Sequence, residues 1–99
     1  MEIRIQSIHF DADQKLLDYV EKRVSKVSTF FNHITGVDVY LKFDSAHSHI
    51  KEKAVELKVI VPGATIFASE TSLHFEEAVD NAVESLKRQL KKHKEKVQN

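Results

Sequence analysis

Ninety-nine residues with no cysteine, two glycines and one proline suit one domain that buries a core without staples, exclude disulfide and thiolate chemistry, and fit a reducing cytoplasm. Fifteen Lys and Arg balance fifteen Asp and Glu, so any charged function depends on where charges sit, not on how many there are. The apolar runs are too short to span a bilayer, Glu2 and Arg4 interrupt any signal-peptide core, and no repeat or linker composition divides residues 1–99, which excludes a membrane partner and predicts a single domain.

Ile3 and Ile5 alternate with Arg4 and Gln6, which predicts a first strand over residues 2–8. A helix follows, with Asp11 or Asp13 available to cap it; Asp11 and Gln14, three apart, have capping-box spacing, so these acids read as structural rather than as metal ligands. Leu16, Val20, Val24, Val27 and Phe31, with Leu17, recur at helical spacing, and the helix is expected to close near Asn32. On one flank of that stripe Lys15, Lys22 and Lys26 gather beside Tyr19 and Arg23, while Asp18, Glu21 and Ser25 take the other side. Interleaved Lys and Glu would give small i,i+4 gains; sorting by sign points instead to a directional field, although three lysines also align by chance.

Val37, Val39, Leu41 and Phe43 alternate with Asp38, Tyr40, Lys42 and Asp44, and Val55, Leu57, Val59 and Val61 repeat the pattern, giving two strands with one wet face. Pro62-Gly63 fits the centre of a tight turn, so residues 64–70 should return as a further antiparallel strand. Between the first two of these strands His47 and His49 stand two apart; with no cysteine and no clear third ligand, they read as part of a polar hairpin loop rather than as a metal site. The last helix places Phe75, Ala78, Val79, Ala82, Val83, Leu86, Leu90 and His93 on one face. The order β-α-β-β-β-α predicts an α+β domain, a four-stranded antiparallel sheet with both helices packed on one face.

The end of that helix holds the densest charge. From Leu86 to Val97, six Lys and Arg (Lys87, Arg88, Lys91, Lys92, Lys94, Lys96) stand against one acid, Glu95. On a helix rising about 1.5 Å per residue the cations fall about every 2.5 Å, similar to the phosphate density of a duplex. Glu76, Glu77, Asp80 and Glu84 precede them, the order the helix dipole favours, but that effect fades within the last turn and accounts for one or two cations rather than six. A phosphate-binding surface and a solvated basic tail remain the two readings of charge alone.

Leu17-Asp18-Tyr19-Val20 followed by Arg23 and Lys26 and closing in Phe30-Phe31, the later Ala78-Val79-Asp80, and above all Arg88-Gln89-Leu90-Lys91-Lys92-His93-Lys94-Glu95-Lys96 resemble, through the whole chain, the short ribosome hibernation-promoting factors. That family includes protein Y, the ribosome-associated inhibitor, and once carried the label sigma-54 modulation protein. The resemblance implies a double-stranded-RNA-binding-domain-like fold and a bacterial stationary-phase or stress protein. It implies binding of the small ribosomal subunit and its ribosomal RNA, not DNA, in the channel for messenger and transfer RNA, and so a block to translation. It places RNA-binding roles on Arg23, Lys26, Arg88, Lys92, Lys94 and Lys96; the chain's own charge pattern adds Lys22, Lys87 and Lys91. It implies the short form without a dimerisation domain, working with a separate small protein that dimerises ribosomes; the residues themselves, apart from the resemblance, predict no cofactor and no metal site.

The chain departs from the family pattern at His74, where an acidic cap is usual, so Ser72 or His74 is expected to serve. Generic duplex binding through the start of the last helix is disfavoured by Glu76, Glu77 and Asp80 there. An enzyme reading finds no nucleophile-base pair, paired carboxylates or metal spacing in the sequence. The remaining alternative is a protein-interaction module, acidic at one end and basic at the other, that regulates a partner without RNA.

Overall fold

The computed structural model describes residues 1–29, 31–44 and 52–98. In chain order these form β1 (Glu2–Ser7), α1 (Gln14–Ser25) continuing into a 3-10 turn (Lys26–Thr29), β2 (Gly36–Asp44), β3 (Glu52–Val61), β4 (Ala64–Ser72) and α2 (Phe75–Gln98). Phe30, His47 and His49 lie outside the described residues, as does the whole segment 45–51 joining β2 to β3.

The four strands lie in the order β1-β2-β3-β4. β2, β3 and β4 pair antiparallel, with Val39 opposite Leu57 and Leu57 opposite Ala68. β1 pairs parallel to β2, Ile5 beside Val39, so the sheet is mixed and not antiparallel throughout. The cause is α1: a helix inserted between neighbouring strands carries the chain back along the sheet, so the next strand starts at the same end as the first. At the β3–β4 hairpin Gly63 has φ 79°, the left-handed backbone that the third position of a type II turn requires after Pro62.

Alternation decides which face is covered. Val37, Val39, Leu41, Val55, Leu57, Val59, Val61, Ile66 and Ala68 are buried in one cluster with Leu16, Val20, Val24 and Val27 of the first helix and Ala78, Val79, Ala82, Val83, Leu86 and Leu90 of α2. Both helices therefore cover one face, and Arg4, Asp38, Tyr40, Lys42, Glu56 and Lys58 occupy the other. There Arg4 donates to Asp38 and Glu2, and Lys42 pairs with Glu56 at 2.7 Å. The bond from Arg4 lowers the pKa of the Asp38 carboxyl, and the bond to Glu56 raises that of the Lys42 ammonium.

The helix boundaries differ from expectation. Asp13, not Asp11, is the N-cap: its Oδ1 accepts from Leu16 N at 2.8 Å, while Gln14 reaches Asp18 instead of a capping-box partner. The α-helical part of the first helix ends at Ser25, short of Asn32, because the chain tightens into the 3-10 turn, whose Ser28 and Thr29 hydroxyls return to the carbonyls of Ser25 and Lys26. Leu17 and Phe31 are half-buried, not buried. Phe43 is 42% exposed, since it lies at the sheet's end against Phe10 and Phe75, with ring centroids 5.0 and 5.5 Å away. At the start of α2 the His74 carbonyl accepts from Ala78 N and the Ser72 hydroxyl donates to Glu77, so His74 holds the cap position by its backbone.

Candidate nucleic-acid interface

Topology sets the direction of the two helices. α1 returns antiparallel to β1 and β2; α2 returns antiparallel to β4, which runs with β2. Hence α1 and α2 are parallel neighbours. Two contacts agree: Tyr19 and Arg23 meet Asp80, and twelve residues further on from Tyr19, Phe31 meets His93 with ring centroids 6.5 Å apart. The carbonyl ends of both helices therefore come to the same end of the molecule, and so do the cations concentrated there.

The front of the helix pair is closed by a polar clasp. The Tyr19 hydroxyl donates to Asp80, its oxygen 2.7 and 2.9 Å from the two carboxylate oxygens, and Arg23 Nε donates to Oδ1 at 2.7 Å. The bond to Asp80 raises the pKa of the Tyr19 phenol, helped by burial, and that of the Arg23 guanidinium, against the smaller opposing effect of burial. One turn along, Lys87 pairs with Glu84 at 3.3 Å.

Contacts on either side of α2 give the azimuth of the remaining cations. Asp80 marks the side facing α1, and Gln89, whose Nε2 donates to the Phe67 carbonyl at 2.7 Å, marks the side facing β4. Advancing about 100° per residue from Asp80, Lys87, Lys91 and Lys94 return to the α1 side, Arg88 and Lys92 turn outward to solvent, and Lys96 approaches the β4 side. On α1, Lys22 and Lys26 share the flank of Tyr19 and Arg23 that faces α2. The nine candidates thus sweep from the interhelix groove over the outer surface of α2 and do not form one flat plateau.

Exposure and pairing divide them. Arg23 and Lys87 are half-buried and carry carboxylate partners, whereas Lys22, Lys26, Arg88, Lys91, Lys92, Lys94 and Lys96 are exposed. Among the described residues no ion pair holds Arg88, Lys91, Lys92, Lys94 or Lys96. Beyond Leu90, none of residues 91–96 is buried and His93 alone of them is half-buried, so α2 runs on past the core. Donors without acceptors on a rigid helix are what an incoming polyanion requires. Among the described residues no group of three His, Cys, Asp or Glu has the disposition to hold a metal, and no helix is long and apolar enough to cross a membrane.

Two residues of the site escaped sequence reasoning. Asp80 reads as one acid among four near a helix start, and Tyr19 as a neighbour of lysines; their contact spans 61 positions, which no local spacing reveals.

Comparison with known proteins converges on one group. Residues 3–98 match the family model described as Sigma 54 modulation protein / S30EA ribosomal protein. A ribosome hibernation promoting factor from Pseudomonas putida is 34% identical over 98 residues, covering 99% of this chain and 91% of that one. One from Azotobacter vinelandii is 33% identical over 96 residues, 97% of this chain and 85% of that one. Among solved structures, a ribosomal subunit interface protein from Coxiella burnetii matches with a TM-score of 0.84 at 24% identity, over 95% of this chain and 98% of its own. The protein Y N-terminal domain of Thermus thermophilus matches at 0.74 and 22% identity, over 93% and 94%. These two share the fold, and neither is described as a double-stranded-RNA-binding domain.

Proposed function

We propose, since the chain belongs to the Sigma 54 modulation protein / S30EA ribosomal protein family, that it is a ribosome hibernation factor which seats the cationic ends of its two helices on ribosomal RNA of the small subunit, occupies the channel of messenger and transfer RNA, and so halts translation. Relatives of nearly equal length are named ribosome hibernation promoting factors. The observation that carries the reading is the parallel alignment of α1 and α2, which gathers at one end of a protein of zero formal charge exposed lysines and arginines that have no carboxylate partner among the described residues.

Such a surface recognises folded RNA by backbone and shape. The exposed cations contact phosphates and supply affinity and orientation, without reading base edges. Choice of site then falls to the relief of the surface: helix ends that project past the core reach into a cleft lined by several RNA strands, where a flat duplex offers fewer simultaneous contacts. Glu76 and Glu77 in the first turn make the opposite end of α2 repel phosphate, which orients the protein in the cleft.

Sedimentation with purified bacterial small subunits in graded salt tests this. The logarithm of the binding constant should fall linearly with the logarithm of salt, by about one unit of slope per phosphate contact, and excess messenger RNA with transfer RNA should displace the protein. A flat salt response, or association that survives digestion of the RNA, would favour a protein partner and overturn the proposal.

A further inference from the structure

The clasp places a carboxylate at the mouth of a surface assigned to an anion. On charge alone Asp80 opposes phosphate, and its side chain is 43% exposed, so burial does not remove it from the ligand's field. Its contacts give it another part. Arginine presents five N–H donors in a planar fork, and the Nε donor is the one that Asp80 takes, at 2.7 Å. That bond fixes the guanidinium plane and leaves the two terminal amino groups on the opposite edge. Tyr19 steadies the carboxylate in turn, its hydroxyl oxygen within 2.9 Å of both carboxylate oxygens. The Arg23 side chain, 25% exposed, lies on the flank of Lys22 and Lys26, facing the side of α2 that bears Lys87 and Lys91.

We infer that Asp80 is a positioning residue for RNA binding: by gripping Arg23 through Nε it holds the terminal amino groups ready for a backbone phosphate in the interhelix groove, so that removing this negative charge weakens the binding of a polyanion. The inference rests on the proposed ribosomal-RNA function and deepens it. A free arginine on a helix surface loses rotamer freedom when it meets a phosphate, whereas one already held in plane loses little. The bond to Asp80 raises the pKa of the Arg23 guanidinium, and Tyr19's own bond to Asp80 raises that of its hydroxyl, so both donors keep their protons over the neutral range.

The sign of the effect is the test. Affinity for purified small ribosomal subunits is measured for the unaltered chain, Asp80→Asn, Arg23→Gln, the double variant and, as a reference, Lys91→Glu/Lys94→Glu. Asp80→Asn keeps the shape of the side chain and removes its charge; binding should fall on the order of tenfold, the size of one charge-assisted hydrogen bond. Arg23→Gln should fall by as much, its salt slope smaller by about one unit, and the double variant should be no weaker than Arg23→Gln alone, because the two act as one unit. Arg23→Lys retains an ion pair with Asp80 but offers no second nitrogen, and it should bind like Arg23→Gln. Tighter binding by Asp80→Asn, losses that add in full, or full affinity in Arg23→Lys would each overturn the inference. The reference variant separates the two levels: if Lys91→Glu/Lys94→Glu binds normally the RNA reading itself has failed, whereas if it loses binding and Asp80→Asn does not, the positioning role alone has failed.

Discussion

The two ends of the paired helices use the same residue types in opposite ways. At the front, where Tyr19, Arg23, Asp80, Glu84 and Lys87 meet, every cation has a carboxylate within 3.3 Å; at the back, Arg88, Lys91, Lys92, Lys94 and Lys96 stand exposed on turns that have left the core, with no ion pair among the described residues. A partnered cation is held in place, Arg23 by a carboxylate of the other helix and Lys87 by one of its own, and the direction in which it can meet a ligand is fixed by that bond. An unpartnered one adds little to folding and is free for a ligand. Counting lysines does not distinguish the two; the position of the nearest carboxylate does.

The sharpest way to break this contrast is charge reversal at the back. Arg88→Glu/Lys92→Glu should reduce affinity for small subunits by more than about a hundredfold, since each reversal removes one attraction and adds one repulsion, while unfolding free energy stays within about 0.5 kcal/mol because neither side chain packs. A comparable loss of stability in denaturant melts would put those residues in the fold's service instead. At the front the expectation inverts. Tyr19→Phe should lower stability by about 1 kcal/mol, the scale of a partly exposed hydrogen bond to a charged acceptor. The folded phenol has a pKa above its ordinary value of 10.0, so its contribution is fully present below that value and is lost as pH rises through the folded pKa. Phenolate absorbance should therefore show Tyr19 titrating late, and Asp80→Asn should shorten the delay to the part that burial sustains. The smallest effect belongs to His9, whose φ of 64° is left-handed and costly for a side chain. His9→Gly should raise stability by at most about 1 kcal/mol, because relief of strain is partly offset by the looser unfolded chain, with ribosome binding unchanged.

Much of this was legible from the chain. Val37 to Leu41 alternate strictly and Val55 to Val61 do so except at Ile60, and the buried residues over these spans follow that alternation; Pro62-Gly63 turns as its chemistry requires; α2 buries the apolar stripe that its spacing defines. Direction of pairing was not legible, since alternation is the same for parallel and antiparallel partners and only the return of α1 distinguishes them. Nor was the end of α1, because Val27 and Phe31 preserve the apolar spacing through a tighter turn. Within the site, the cationic ends could be read from local density, whereas the clasp depends on Tyr19 and Asp80 meeting across the fold.

Zero formal charge spread along a body 46 Å in its longest dimension has a kinetic consequence. At physiological ionic strength fields fade over about 8 Å, so from farther off the protein looks uncharged to any RNA, and encounter proceeds by unassisted diffusion at roughly 10⁵ to 10⁶ per molar per second. On the proposed function, loose transcripts, which offer one strand at a time, should hold it only briefly, and residence should depend on how many strands surround the helix tips at once, a property of the crevice rather than of the swimmer.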